Sequence, residues 1–537
     1  MNDSSCSPPI GADRALLTGG AEWWGRSDMP IKGVIRRPYL GPNNGASPTT
    51  FITTVTPREG ILSQKLFKML SRLAGCLQDS VQSHPLTYTT IVITVLLGLS
   101  TLLLILKWTG NSSSTRRKLR NLRRLGVSSS NMADQTDPKF DLPEGSSINA
   151  PIRIKAIFIH PVKSCGPIEL NQAILTKTGF MYDRCYAIAN EVARADTEGG
   201  SVWRFISQRT KPLMSQIKPE LWVPHEKSDP QDPLVRAGGC LVLQFPDPDP
   251  PNWINRLEAL LDPGQPTQCE VSFIVPLQPT SELVDEYKIR MKPFTIHSRD
   301  AKGLDMGRIP SVAAALPKLK RFLKVSDQNL TILRCTPDTL VRTDKNLAPL
   351  DCIGTPAVHG YTDQQPININ SLSSVHAVSS MLPVENQPLN ALRFRANIWI
   401  TGAPAFEEEN WKRYRILTKN SGSDTRAKVA PTLSVVCRTS RCTMPNVDPN
   451  TGKFDTDNPA PDRARGRAQP STTLVKYRTV EDGNPRALGY LGMHCVPEDH
   501  SLNEATSQDA RLYVQVGDEI EVLERGRHLY GSTGNDY

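Results

Sequence analysis

The stretch LTYTTIVITVLLGLSTLLLIL, residues 86–106, constrains this chain more than any other, because it runs without a charge or a proline. At about 1.5 Å rise per residue, such a helix spans about 30 Å, the hydrocarbon thickness of a bilayer. Tyr88 and Trp108 stand where interfacial aromatics belong, so residues 86–108 read as one transmembrane helix. A buried core helix is the alternative, but core helices of this length normally keep a polar face. A cleaved signal peptide is a poor fit, since about 85 residues precede the segment. On its C-terminal side, STRRKLRNLRRL (residues 114–125) is basic and free of acids, which by the positive-inside rule places the C-terminal bulk in the cytosol. The net charge of +9 is concentrated in that run, whereas nucleic-acid binding calls for a basic folded surface. Eleven scattered cysteines resemble no disulfide framework and suit a reducing compartment.

Residues 1–85 read as an irregular extension rich in Pro, Gly, Asn and Ser. Within it only 61–77 has helical periodicity, fitting a membrane-surface helix or an ordinary solvated one. Residues 109–150 read as a basic and then polar linker. From Ile152 the pattern changes: IRIKAIFIHPVKSC alternates, and IELNQAILTKTGFMYDRCYAIAN, CLVLQFP and CEVSFIVPL add strand-like runs. Short strands at close spacing predict a barrel or sandwich. Further on, a helical run SVAAALPKLKRFL and strands NLTILRC, NIWITG and YVQVGDEIEVLE give a fold that is mostly β with some α. No Walker lysine loop and no G-x-G-x-x-G occurs, so nucleotide-binding motifs are absent.

Polar clusters recur at strand ends. HPVKSCG supplies Lys163 and Ser164, YDRCYAIAN supplies Asp183 and Arg184, LRFRANIWITG supplies Arg393, Arg395 and Asn397, and SRC supplies Ser440, Arg441 and Cys442. Cations combined with hydroxyl and amide groups are the residue types that hold a phosphate. Singly, each is an ordinary surface polar group; only convergence makes a site. Cys442 precedes VDPNTG, a stiff turn. It reads as a small buried hydrophobe, as one of four zinc ligands with Cys437, His494 and Cys495, or as a nucleophile with His494 as base. Arg441 beside it favours the thiolate, the form that binds soft metals.

The motifs HPVKSCG, GFMYDRCYAI, FISQRTKPLMSQIKPEL, LRFRANIWITGAPAFEEENW, SRCTMPNVDPNTG, TTLVKYR and YVQVGDEIEVL, in this order, resemble the MOSC family. More narrowly, they resemble its mitochondrial amidoxime-reducing component type. The resemblance implies a MOSC N-terminal β-barrel domain over 151–290, a MOSC domain over 291–527 and a C-terminal tail over 528–537. It also implies a molybdenum cofactor, with Cys442 as the catalytic, molybdenum-ligating residue. Lys163, Ser164 and Arg184 match residues that hold the pterin and its phosphate. Arg395, Asn397, Ser440 and Arg441 match further cofactor contacts, and His494 falls where the family uses a backbone group. The implied activity is reduction of N-hydroxylated compounds, amidoximes or hydroxylamines, with electrons from cytochrome b5 and NADH-cytochrome b5 reductase at the outer mitochondrial membrane; the endoplasmic reticulum suits the same topology. A carrier of the cofactor or its sulfur is the competing reading. The chain departs from relatives in having Thr439 where a C-x-x-C places its first Cys, Ala403 where some carry Cys, and a long loop at 456–471.

Overall fold

In the computed structural model, the described residues run from 89 to 529, without 91–92, 99, 102–114, 116, 194–199, 251–268, 344–346, 419–428, 458–465 and 482–488. The periodic segment 61–77 and nearly all of the C-terminal tail therefore lie outside the described residues. So does much of the apolar segment, which is helical at 89–90, 93–98 and 100–101. Among the described residues no helix is long and apolar enough to cross a membrane.

Two barrels carry the site. The smaller is closed by Met291–Ile296, Arg299–Asp305, Leu330–Arg334, Tyr186–Ala193 and Ser201–Phe205. Its interior is filled by Ala187, Ala189, Phe294, Ile296 and Leu333. The larger is an eight-stranded sheet in the order Ile398–Thr401, Ile367–Ser371, Tyr490–Pro497, Thr432–Ser440, Trp411–Leu417, Glu519–Arg525, Arg153–Ile159 and Ile168–Leu170. Pairing of Ile398–Thr401 with Arg153–Ile159 closes it on itself. Arg153–Ile159 is thus an N-terminal strand inside a sheet built mostly from residues beyond 366. Its pattern starts as alternation, with Ile154 and Ala156 inward, and ends fully buried from Ile157 onward. A strand covered on both faces needs just such a run.

The predicted helix forms over Pro310–Leu323, burying Val312, Ala315, Leu319, Phe322 and Leu323 at helical spacing. Pro310 suits the first helical position, where no N–H is required. It packs against Glu270–Pro276, which pairs with Cys240–Pro246 in a separate four-stranded sheet.

The linker expected over 109–150 is in part folded structure. Leu122–Leu125 pairs antiparallel with Lys218–Pro224, and Leu119, Leu122 and Met132 are buried. The basic run hides leucines between its arginines, so Arg123 and Arg124 point to solvent while Leu122 enters the core. Arg124 pairs with Glu220 at 3.0 Å.

The buried acid Glu408 has no cation beside it among the described residues. Glu408, 1% exposed, accepts from the Ser374 hydroxyl at 2.8 and 3.0 Å and from the Ser371 N–H at 3.2 Å. Burial, and then the adjacent Glu409, push its carboxyl up to about 7. The fold therefore favours the protonated form. Its stability is full below the ordinary value of 4.5 and declines as pH rises through about 7. At pH 8, Glu408→Gln is expected to be more stable than the wild type by about 3 kcal/mol, with no advantage at pH 5. Paired thermal melts at the two pH values check this; equal differences at both would refute it.

Candidate functional site

The site is assembled from short connections where the two barrels meet. After Arg153–Ile159 the chain turns at His160-Pro161, and Arg184 N–H donates to His160 O at 2.9 Å. Tyr186 N–H donates to Pro161 O at 2.9 Å and Lys163 N–H to Tyr186 O at 2.8 Å, so the segments 160–163 and 184–186 are zipped together. A third segment joins through Asn397, whose N–H donates to Asn368 O and whose O accepts from Phe158 N–H, both at 2.8 Å.

Three of the predicted residues have left-handed backbone: Ser164 (φ 66°), Arg184 (φ 45°) and Arg395 (φ 54°). For a residue with a β-carbon this costs on the order of 1–2 kcal/mol, and it persists only where the surroundings over-determine it. The conformation turns the three side chains into one space. Lys163, Ser164, Arg184, Arg395, Asn397, Ser440, Arg441, Cys442 and His494 all line a single cavity of about 270 Å³.

Six Lys and Arg side chains line it, but only one carboxylate, Asp363. Three of the cations have acidic partners: Lys163 with Asp363 at 2.5 Å, Arg184 with Asp183 at 2.5 Å, and Arg393 with Asp455 at 3.0 Å. Arg209, Arg395 and Arg441 do not, among the described residues; Arg209 meets the His297 ring instead. Arg395 donates to Cys165 O at 2.7 Å. Arg441 donates to Leu491 O at 2.8 Å, Phe394 O at 2.9 Å and Asn368 Oδ1 at 3.2 Å. These acceptors orient the guanidiniums without neutralising them. Burial, and then Arg184, lower Arg395 to about 10. Burial lowers Arg441 to about 9, opposed by the neighbouring Cys442 thiol and reinforced by Arg184. Both remain charged at neutral pH, and the cavity calls for an anion.

Unmet hydrogen bonds reinforce that demand. Among the described residues, Ser164 Oγ, Thr362 Oγ1, Arg393 Nε and His494 Nδ1 are buried without partners, and all four residues line the cavity. Such groups are rare in folded proteins, and a polar ligand in this cavity would satisfy them.

Cys442 is a free, exposed thiol following Thr432–Ser440, and it too lines the cavity. The turn behind it forms as expected: Asn450 N–H donates to Asp448 Oδ1 at 2.8 Å, and Gly452 N–H to Asp448 O at 2.9 Å, with Gly452 at φ 65°. No group of three or more His, Cys, Asp or Glu is placed to hold a metal ion among the described residues, so the zinc set does not assemble. The physical reason is burial: Cys437 and Cys495 sit inside the barrel wall, where desolvation pushes their thiols far up, Cys437 to about 12. Burial, and then Arg441, lower the His494 ring to about 3, so it makes a poor base for a nucleophilic cysteine.

Other residues of the cavity were not singled out from the sequence. Asn368 donates to Thr439 Oγ1 at 2.6 Å and Met493 O at 3.1 Å while accepting from Arg441. Its signal is an amide alternating with Ile367 and Ile369 in the strand Ile367–Ser371, which buries Asn370 and Ser371 as well. Arg209, His297, Thr362 and Asp363 reach the cavity from loops, and no local pattern marks them.

Residues 151–246 match the MOSC N-terminal beta barrel domain and residues 356–521 the MOSC domain. No curated protein matches the chain.

Because Arg395 is charged without a counter-charge, Arg395→Gln is expected to raise the melting temperature of ligand-free protein while reducing the stabilisation conferred by inorganic phosphate. Thermal shifts with and without phosphate check this. An unchanged phosphate response would remove Arg395 from the anion site.

Proposed function

From the premise that this is a MOSC domain-containing protein, a class associated with molybdenum-cofactor binding, we propose that the cavity holds a molybdenum cofactor and that the protein reduces N-hydroxylated compounds. The observation that carries the reading is the pair of unneutralised guanidiniums, Arg395 and Arg441, in one cavity with a free, exposed thiol. A phosphate-tailed cofactor with a soft metal asks for that combination.

Lys163, Arg184 and Arg395 would hold the phosphate, with the unpartnered Ser164 hydroxyl as a further hydrogen-bond donor. Asn397, Ser440, Arg441 and His494 would line the pterin. Among the described residues Cys442 is the only thiol lining the cavity, so it is the thiolate the protein would offer the metal. When bound, the group supplies oxygen-atom and two-electron chemistry suited to an N–O bond. The chain's own residues bind and orient: Arg441 is fixed by three hydrogen bonds next to the ligand position, and the strained turns at Ser164, Arg184 and Arg395 keep their side chains aimed before the cofactor arrives.

The chain carries no nucleotide motif, so an external donor is required, and cytochrome b5 with its NADH-dependent reductase is the proposed supply. A single transmembrane helix over 86–108 would confine both partners to one membrane, the outer mitochondrial membrane or the endoplasmic reticulum, and raise their effective concentration. Ile93, Val95, Leu96 and Leu97 are each more than half exposed, as lipid-facing side chains would be. The exposure of Cys442 also suits a carrier that hands the cofactor or its sulfur onward. Loaded protein that reduces no N-hydroxylated compound would decide for the carrier.

Cys442→Ser is expected to lose both bound molybdenum and reductase activity at unchanged melting temperature; elemental analysis beside an amidoxime-reduction assay checks it, and full activity would overturn the ligand assignment. Arg184→Ala is expected to weaken cofactor retention by about 1.5–3 kcal/mol, through loss of a charge-assisted bond. Unchanged occupancy after gel filtration would count against it. Removing residues 86–108 is expected to lower turnover with cytochrome b5 more than turnover with a small artificial reductant, and equal losses would refute tethering.

A further inference from the structure

We infer that His297 is the proton donor of the proposed reduction, delivering its proton to the oxygen that leaves the N-hydroxylated substrate. The inference rests on the reductase reading. Reduction of R–NHOH to R–NH2 breaks the N–O bond and takes up two electrons from a one-electron donor protein. Two protons are taken up with them: one goes to the hydroxyl oxygen, which departs as water, and one to the nitrogen. A group in the cavity must present a proton at that oxygen.

The lining offers few. His494 is buried and held neutral by its surroundings. Lys163 is buried and tied to Asp363, and Cys442 is assigned to the metal. His297 remains, and histidine is the side chain that exchanges protons near neutral pH.

Its placement suits the task. His297 lies at the tip of the hairpin joining Met291–Ile296 to Arg299–Asp305, with φ 57°, so the smaller barrel projects it into a cavity walled largely by the other. Its ring meets Phe205 edge to face, with centroids 5.9 Å apart, and the side chain is 41% exposed, leaving a path for protons from water. Two charged groups face it from other elements. Asp363 Oδ1 lies 3.4 Å from Nε2. Arg209 Nη2 lies 2.7 Å from Nδ1 and 2.8 Å from Nε2, with an N–H to donate to a ring nitrogen. Lys163 Nζ meets the same Asp363 oxygen at 2.5 Å. The imidazole thus has one partner for the state before proton delivery and another for the state after it. A group that must both give and regain a proton needs that balance.

The test uses molybdenum-loaded protein, a simple aromatic amidoxime and a small artificial reductant, comparing wild type with His297→Gln across pH. A general acid works only when protonated, so wild-type kcat/KM is expected to fall with rising pH. H297Q is expected to lose about 100-fold at pH 7 and to lose that pH dependence, with molybdenum content unchanged. A readout independent of turnover is the NMR titration of the His297 ring in loaded wild-type protein, which is expected to shift when the amidine product binds. Superimposable pH profiles, a ring unaffected by the amidine, or loss of molybdenum from H297Q would each overturn the assignment. Wild-type protein inactive on every N-hydroxylated compound would instead remove the reductase reading, and the inference with it.

Discussion

Two buried guanidiniums with no ion-pair partner among the described residues govern the design of this molecule. Arg395 and Arg441 each lie within the field of Arg184, in a buried space where water screens charge poorly. Left alone, the arrangement destabilises the fold. It is tolerated because each guanidinium is pinned by carbonyl and amide oxygens rather than by acids, so the charge stays available to a ligand. Carboxylates at these positions would have quieted the cavity and closed it to anions.

The pinning works because the connections around the cavity belong to two closed barrels. A barrel has no free edge to shift, so a loop leaving it keeps its position. Residues 160–163 leave the larger barrel, 184–186 enter the smaller, and backbone hydrogen bonds between them hold Lys163, Ser164 and Arg184 against both frameworks. Left-handed backbone at three ligand-facing residues follows: the rigid surroundings impose conformations that free chains avoid. The energy for this comes from large apolar cores elsewhere, of which Trp399, Trp411 and Tyr414 are among the biggest fully buried members.

The nine residues to which the family resemblance pointed line one cavity, most of them in ordered motifs at strand ends. Legibility failed where a residue's importance is set by distant chain. Asn368 lies mid-strand, Asp363 and Thr362 in a loop, and His297 at a hairpin tip; each reaches the cavity only through tertiary contacts. The linker was misread because a dense run of arginines masks leucines that the fold buries. Strand content and the helix Pro310–Leu323 were readable from periodicity. What local pattern could not reveal is that Arg153–Ile159 completes a sheet made from the other end of the chain.

That last pairing sets the timetable on which the protein can be made. The ribosome releases Arg153–Ile159 long before Ile398–Thr401 and Glu519–Arg525, two of the strands it pairs with. Through most of translation only the short strand Ile168–Leu170 is there to pair with it, a condition that invites chaperones or misassembly. Cutting the gene at the limits of the C-terminal domain match would remove Arg153–Ile159 and most of Glu519–Arg525, leaving an open ring with exposed edges, a fragment expected to aggregate rather than to bind anything.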